Sequence, residues 1–171
     1  MFKLIGSIII IFATSWAGME MARRLSERPR QLRLFRNALQ ALEAEIMYGH
    51  TPLPEAAKKL SRQIPKPLSL FFSSFSKKLL VAESTVKKSW DDSLREVWKY
   101  TAFTKNDWEI VSQFGSNLGR HDKLSQQKQI QLTLTHLQRE EEDAKDSQHR
   151  YEKMVKSLGV LFGLLIVILL L

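Results

Sequence analysis

The chain has 171 residues, a formal net charge of +8 from 26 Lys+Arg against 18 Asp+Glu, and no cysteine. The missing cysteines exclude a disulfide framework, a thiolate zinc site and a cysteine nucleophile, and they leave the compartment open. The length suits one folded domain resting on its own hydrophobic core.

Apolar residues are concentrated at the two ends. Leu4–Met21 carries no charge except Glu20, and Ser157–Leu171 carries none. An apolar helix needs about 20 residues to cross ~30 Å of hydrocarbon. The first run approaches that length; the second spans if Lys153 and Lys156 snorkel to the interface. Arg23 and Arg24 follow the first run, and Arg150, Lys153 and Lys156 precede the second, whereas the far sides offer only Lys3 and the chain termini. The positive-inside rule therefore predicts a cytoplasmic middle and two outward termini. A cleaved signal peptide is the rival reading, with Ser15-Trp16-Ala17 as a loose cleavage site, although an arginine cluster just beyond resists export. Glu20 reads as an interfacial partner of Arg23 and Arg24.

Nearly all charge lies in the middle, and Arg23, Arg24, Arg28, Arg30, Arg33 and Arg36 form a juxtamembrane basic cluster against a single Glu27. Lipid head groups and nucleic acid both suit such a cluster, and its position beside an apolar run favours lipid, so no nucleic-acid partner is expected.

Helical spacing recurs along the middle and two-residue alternation does not. Pro29 suits the first turn of a helix with the face Leu32, Phe35, Leu39, Leu42 and Ile46, ended by Gly49. Thr51-Pro52-Leu53-Pro54 opens a short helix to about Gln63. Pro65 and Pro67 end it and begin a third, with Leu68, Phe71, Phe72, Phe75 and Leu79 on one face. Ser84 suits the cap of a fourth helix bearing Val86, Trp90, Leu94, Val97 and Trp98. Thr104 and Asp107 read as a capping box for a fifth bearing Trp108, Val111, Phe114 and Leu118, loosened at its end by Gly115 and Gly119.

From about Asp122 one helix, ~70 Å long if unbroken, is predicted to run to the C-terminus. Its heptad-like face is Ile130, Leu134, Leu137, Ala144, Tyr151 and Val155, interrupted by Glu141 and Gln148. The lower half, with Glu140-Glu141-Glu142-Asp143, reads as a solvated stalk; a docking surface for a basic partner is the alternative. Gly159 and Gly163 form a G-x-x-x-G that permits close membrane helix packing, though glycine is also common in such helices. The expected fold is all-α: a six-helix bundle flanked by N- and C-terminal transmembrane helices. The divisions fall at 1–22, 23–156 and 157–171, with the last span continuous with the last bundle helix.

No phosphate-binding glycine loop, zincin pattern or nucleophile elbow is present, and the four histidines stand in four different contexts. The expectation is a non-enzyme without catalytic residues, metal or cofactor, acting in binding or assembly.

Two stretches carry a resemblance: Glu27-Arg-Pro-Arg-Gln-Leu-Arg, and Leu39-Gln-Ala-Leu-Glu-Ala-Glu-Ile-Met-Tyr-Gly-His-Thr-Pro-Leu continuing to Ala56. Phe114-Gly-Ser-Asn-Leu-Gly-Arg-His-Asp-Lys with Gln126 and Gln127, and Gly159-Val-Leu-Phe-Gly before a leucine run, add to it. Together these resemble the stage III sporulation protein AB family over essentially the whole chain. The resemblance implies a role in endospore formation and a likeness to the six-helix cytoplasmic domains of the inner-membrane platform protein of type II secretion and type IV pilus systems. It implies a place in the mother-cell membrane around the forespore, multi-pass, with the main domain cytoplasmic. The implied partners are a secretion-type ATPase (the stage III sporulation protein AA), other stage III sporulation channel proteins and membrane lipids, with homo-oligomerisation as a further hypothesis. Glu43, Glu45, Tyr48 and His50 become the candidate partner-binding residues. A membrane-tethered nucleic-acid binder using Arg23–Arg36 is the alternative function.

Overall fold

The computed structural model describes residues 2–49, 51–81, 84–118 and 123–170, with only some side chains described in the terminal stretches of its two long helices. All regular structure among these residues is helical: α1 (Phe2–Met47), α2 (Leu53–Gln63), α3 (Leu68–Leu79), α4 (Val86–Val97), a 3-10 turn (Trp98–Tyr100), α5 (Lys105–Asn117) and α6 (Lys123–Leu170). Chain contacts divide the molecule into two units, Arg30–Glu141 and the paired terminal stretches Met1–Pro29 with Glu142–Leu171.

The Arg30–Glu141 unit is the bundle. Its core follows from the helical stripes: Leu32, Phe35, Leu39 and Leu42 of α1, Phe71, Phe72 and Phe75 of α3, Trp90 of α4, Val111 and Phe114 of α5, and Ile130 and Leu137 of α6 are all at most 1% exposed. Phe35, Phe71 and Trp90 link the aromatic cluster; the Phe35 ring centroid lies 5.5 Å from Phe71, 5.8 Å from Phe72 and 5.7 Å from Phe103. Such aromatic pairs add about 0.5–1.5 kcal/mol each beyond the area they bury. Trp90 stands edge-on to Phe71 and Phe75 at 4.8 and 4.9 Å, and its indole N–H donates to Val111 O at 2.9 Å, so its polar atom is satisfied inside the core. Thr104 and Asp107 form the expected capping box, with Asp107 fully buried.

Four expectations are corrected. Pro29 does not begin a helix but lies inside α1, where propagation of an already formed helix outweighs the loss of one N–H. The cap of α4 is Thr85, whose extended backbone sets its hydroxyl over Lys88 N at 3.2 Å; Ser84 instead meets the Ser89 hydroxyl at 2.6 Å. Gly115 does not loosen α5: it is buried, and its missing side chain is what admits Trp90. Glu141 does not belong to a solvated stalk. It is 2% exposed and paired with Arg36 at 3.2 Å, while Glu140 accepts from Asn106 at 2.7 Å.

In the terminal unit, Tyr151, Met154, Leu158, Leu161 and Leu165 of α6 are each about half exposed, spaced at three and four residues along one helix face. Among the described residues no helix is long and apolar enough to cross a membrane. Most side chains of the expected spans, including those of Val160, Phe162 and Leu164 beside Gly159 and Gly163, lie outside the described residues.

Candidate functional site

The candidate residues sit where α1 ends and α2 begins. Tyr48 N and Gly49 N both reach Ala44 O, at 3.0 and 3.3 Å, which closes the last turn of α1. A Cβ at Gly49 would stand 2.6 Å from both Glu45 O and Glu45 Oε2, so the turn depends on a residue without a side chain. Pro52 then leads into α2 at a position where its missing N–H costs nothing.

Glu43 and Glu45 diverge, as two residues of separation on a helix requires. Glu43 turns inward, is 7% exposed, and its carboxylate accepts both hydrogen bonds of a fork from Gln131 Nε2 on α6, at 2.7 and 2.8 Å. It clamps α6 to α1 and has no surface left for a partner. Glu45 turns toward α2, where Lys59 Nζ lies 3.0 Å from its Oε1. The Lys59 ammonium first, and the Thr51 hydroxyl second, hold the Glu45 carboxyl below its ordinary range.

A cavity of about 230 Å³ opens beside this pair, lined by Glu45, Ile46, Gly49, Thr51, Leu53 and Gln126. Gln126, at the start of α6, is buried. The lining offers one carboxylate already neutralised by Lys59, a hydroxyl, an amide and aliphatic groups, a set suited to hydrogen-bonding another chain. Among the described residues no group of three His, Asp or Glu is placed to hold a metal. Tyr48 projects outward and is 79% exposed, while His50 lies outside the described residues. Lys59, Gln126 and Gln131, which organise this end of the bundle, carry no local signal that singles them out; Gln126 appears in the sequence only as part of a resemblance.

The basic cluster is not a single surface. Arg30 and Arg33 are exposed and Arg28 is half-buried; the side chains of Arg23 and Arg24 lie outside the described residues. Arg36 turns inward to Glu141, with a further contact to Gln138 Oε1 at 3.4 Å.

Comparison with known proteins finds one family along the whole chain. A profile of Stage III sporulation protein AB matches residues 3–171. A relative from Bacillus subtilis (strain 168), the Stage III sporulation protein AB, is 50% identical over 170 residues, covering 99% of each chain. A solved structure of Stage III sporulation protein AB superposes with a TM-score of 0.71 at 48% identity, covering 72% of this chain and 98% of its own.

Proposed function

The chain belongs to the Stage III sporulation protein AB family, and on that premise we propose that it is a non-enzymatic membrane platform of a sporulation channel complex, coupling a cytoplasmic secretion-type ATPase to membrane components. The single observation that carries the reading is the 50% identity sustained over 99% of both chains. In this reading 1–22 and 157–171 anchor the chain in the mother-cell membrane around the forespore, and 23–156 faces the cytoplasm. The exposed aliphatic face of Met154, Leu158, Leu161 and Leu165 supports the anchor, because a stripe of that kind is unfavourable in water and favourable against lipid chains. Gly159 and Gly163 give the second anchor a surface for close helix contact, through which copies of the chain associate.

The ATPase contact is proposed for the end of the bundle that carries Glu45, Tyr48 and the adjoining cavity; Glu43 supports it from inside. The test is a pull-down from sporulating cells with the full chain as bait. Saturable recovery of the stage III sporulation protein AA, reduced at least tenfold by Tyr48→Ala with the melting temperature unchanged, is the expected result. Recovery of nucleic acid with steep salt dependence, and no ATPase, would overturn it.

A further inference from the structure

At one end of the bundle a succession of aromatic rings runs from the core to the surface. Phe103 lies between Phe35 and Trp98, with centroids at 5.7 and 6.3 Å, and Trp98 stands edge-on to Trp108 at 4.9 Å. Trp98 and Trp108 are half-buried. Tyr100, in the same 3-10 turn as Trp98, is 59% exposed, and Lys99 Nζ lies 5.0 Å from its ring centroid.

Hydrogen bonds tie this segment to the end of the unit where the chain enters and leaves it. Ala102 N donates to Gln31 Oε1 at 2.8 Å, next to Arg30, and Asn106 Nδ2 donates to Glu140 Oε1 at 2.7 Å, next to Glu141. The rest of α1, ~24 Å from Gln31 to Met47, separates it from the end that carries Glu45 and the cavity. The backbone here is largely closed on itself. Trp98 N donates to Leu94 O, Thr101 N and Oγ1 donate to Trp98 O at 3.0 and 2.8 Å, and Thr104 N donates to Asp107 Oδ2 at 2.7 Å. A turn in water can leave such groups to solvent, whereas one against lipid must satisfy them itself. The charges between Trp98 and Trp108 are Lys99 and Lys105, both exposed, and Asp107, which is buried in its capping box.

We propose that Trp98, Tyr100 and Trp108 form an interfacial belt on the head-group layer of the anchoring membrane, with Lys99 and Lys105 meeting lipid phosphates. The belt rests on the membrane-platform reading, which supplies the bilayer, and it would hold the bundle against that surface. Tryptophan and tyrosine favour the head-group layer because an apolar ring carries a polar N–H or O–H that stays wet. Protein partners also favour these residues; the position beside Arg30 and Glu141, where the chain departs toward its apolar ends, selects lipid. Only ~14 Å of helix separates Gln31 from Ala22, the end of the first expected span, and head groups fill roughly 5–7 Å of that. Helix tilt and the length of the side chains close the rest.

The test uses the full chain in vesicles of phosphatidylethanolamine and phosphatidylglycerol. Because the chain has no cysteine, Tyr100→Cys, Glu55→Cys and Leu165→Cys can each carry one spin label. Relative to a water-soluble relaxing agent, a lipid-soluble one should reach the label at Tyr100→Cys at least about threefold more than the label at Glu55→Cys, on the far end. Equal values at the two positions overturn the belt. So does a Tyr100→Cys label shielded from both agents, which would mean that protein covers the segment. Leu165→Cys reads the anchor separately. Its label in lipid with Tyr100→Cys in water means that the belt fails and the anchor stands; both labels in water mean that both readings fail. A second measurement leaves Tyr100 in place: lipid spin-labelled at the head group should quench tryptophan emission, and Trp98→Phe with Trp108→Phe should remove more than about half of that quenching. Unchanged quenching in that variant overturns the belt.

Discussion

Gly115 has no room for a side chain: a Cβ there would fall 2.1 Å from Trp90 Cδ1 and 2.3 Å from Cγ, both fixed atoms of a fully buried ring. Gly115→Ala must therefore push the indole off its bond to Val111 O or part α4 from α5, and should cost about 1–3 kcal/mol as overpacking. A lowered urea midpoint followed by tryptophan fluorescence checks this, and an unchanged midpoint would mean that the ring moves freely. Glu45 makes a different kind of prediction. Its carboxyl is held low by Lys59 and then Thr51, so the stability it contributes is present above the unfolded carboxylate value and is lost as pH falls through the lower folded one. The loss thus lies in acid, below the usual carboxylate range. Lys59→Met should move the Glu45 titration, read by carboxyl carbon NMR, up toward its ordinary value and leave neutral-pH behaviour unchanged.

Between elements, two polar joints tie α1 to α6: Glu43 with Gln131, and Arg36 with Glu141. Glu141→Ala would leave the Arg36 guanidinium, only about a fifth exposed, without its counter-charge. A loss of about 3 kcal/mol is expected, at the lower end for a broken buried pair because Arg36 keeps some water. Arg36→Met combined with Glu141→Leu should recover most of it, since an apolar pair of similar volume removes the uncompensated charge; denaturant curves of the three variants decide. These joints also mark what was legible beforehand. Three- and four-residue spacing picked out Leu32, Phe35, Phe71, Trp90, Val111 and Ile130 because a buried stripe leaves a local signature. The capping box was readable for the same reason. Glu43 and Gln131 are 88 residues apart and Arg36 and Glu141 more, so their pairing has no local signature, and polar side chains read as surface by default. For the site, Gly49 and the α1–α2 break were readable from turn chemistry, whereas the cavity needed Gln126 brought in from α6.

At the scale of the whole molecule, the proposed platform requires the two terminal stretches to place the bundle on one side of a bilayer, and the chain is suited to a direct test because it contains no cysteine. Each single cysteine introduced then reports one position. Lys3→Cys lies before the first apolar run, and Ser125→Cys lies on an exposed position of α6 inside the bundle. With both termini outward and the bundle cytoplasmic, a membrane-impermeant maleimide added to intact cells should modify Lys3→Cys and spare Ser125→Cys, and both should react after lysis. The positive flanks argue for that order: moving Arg23, Arg24, Arg150, Lys153 and Lys156 across the membrane is the costlier arrangement. Reaction of Ser125→Cys in intact cells would invert the topology and remove the ATPase from reach. Loss of the Lys3→Cys peptide from the mature chain, seen by mass spectrometry, would instead mean that the first run is a cleaved signal, leaving α6 as the only anchor.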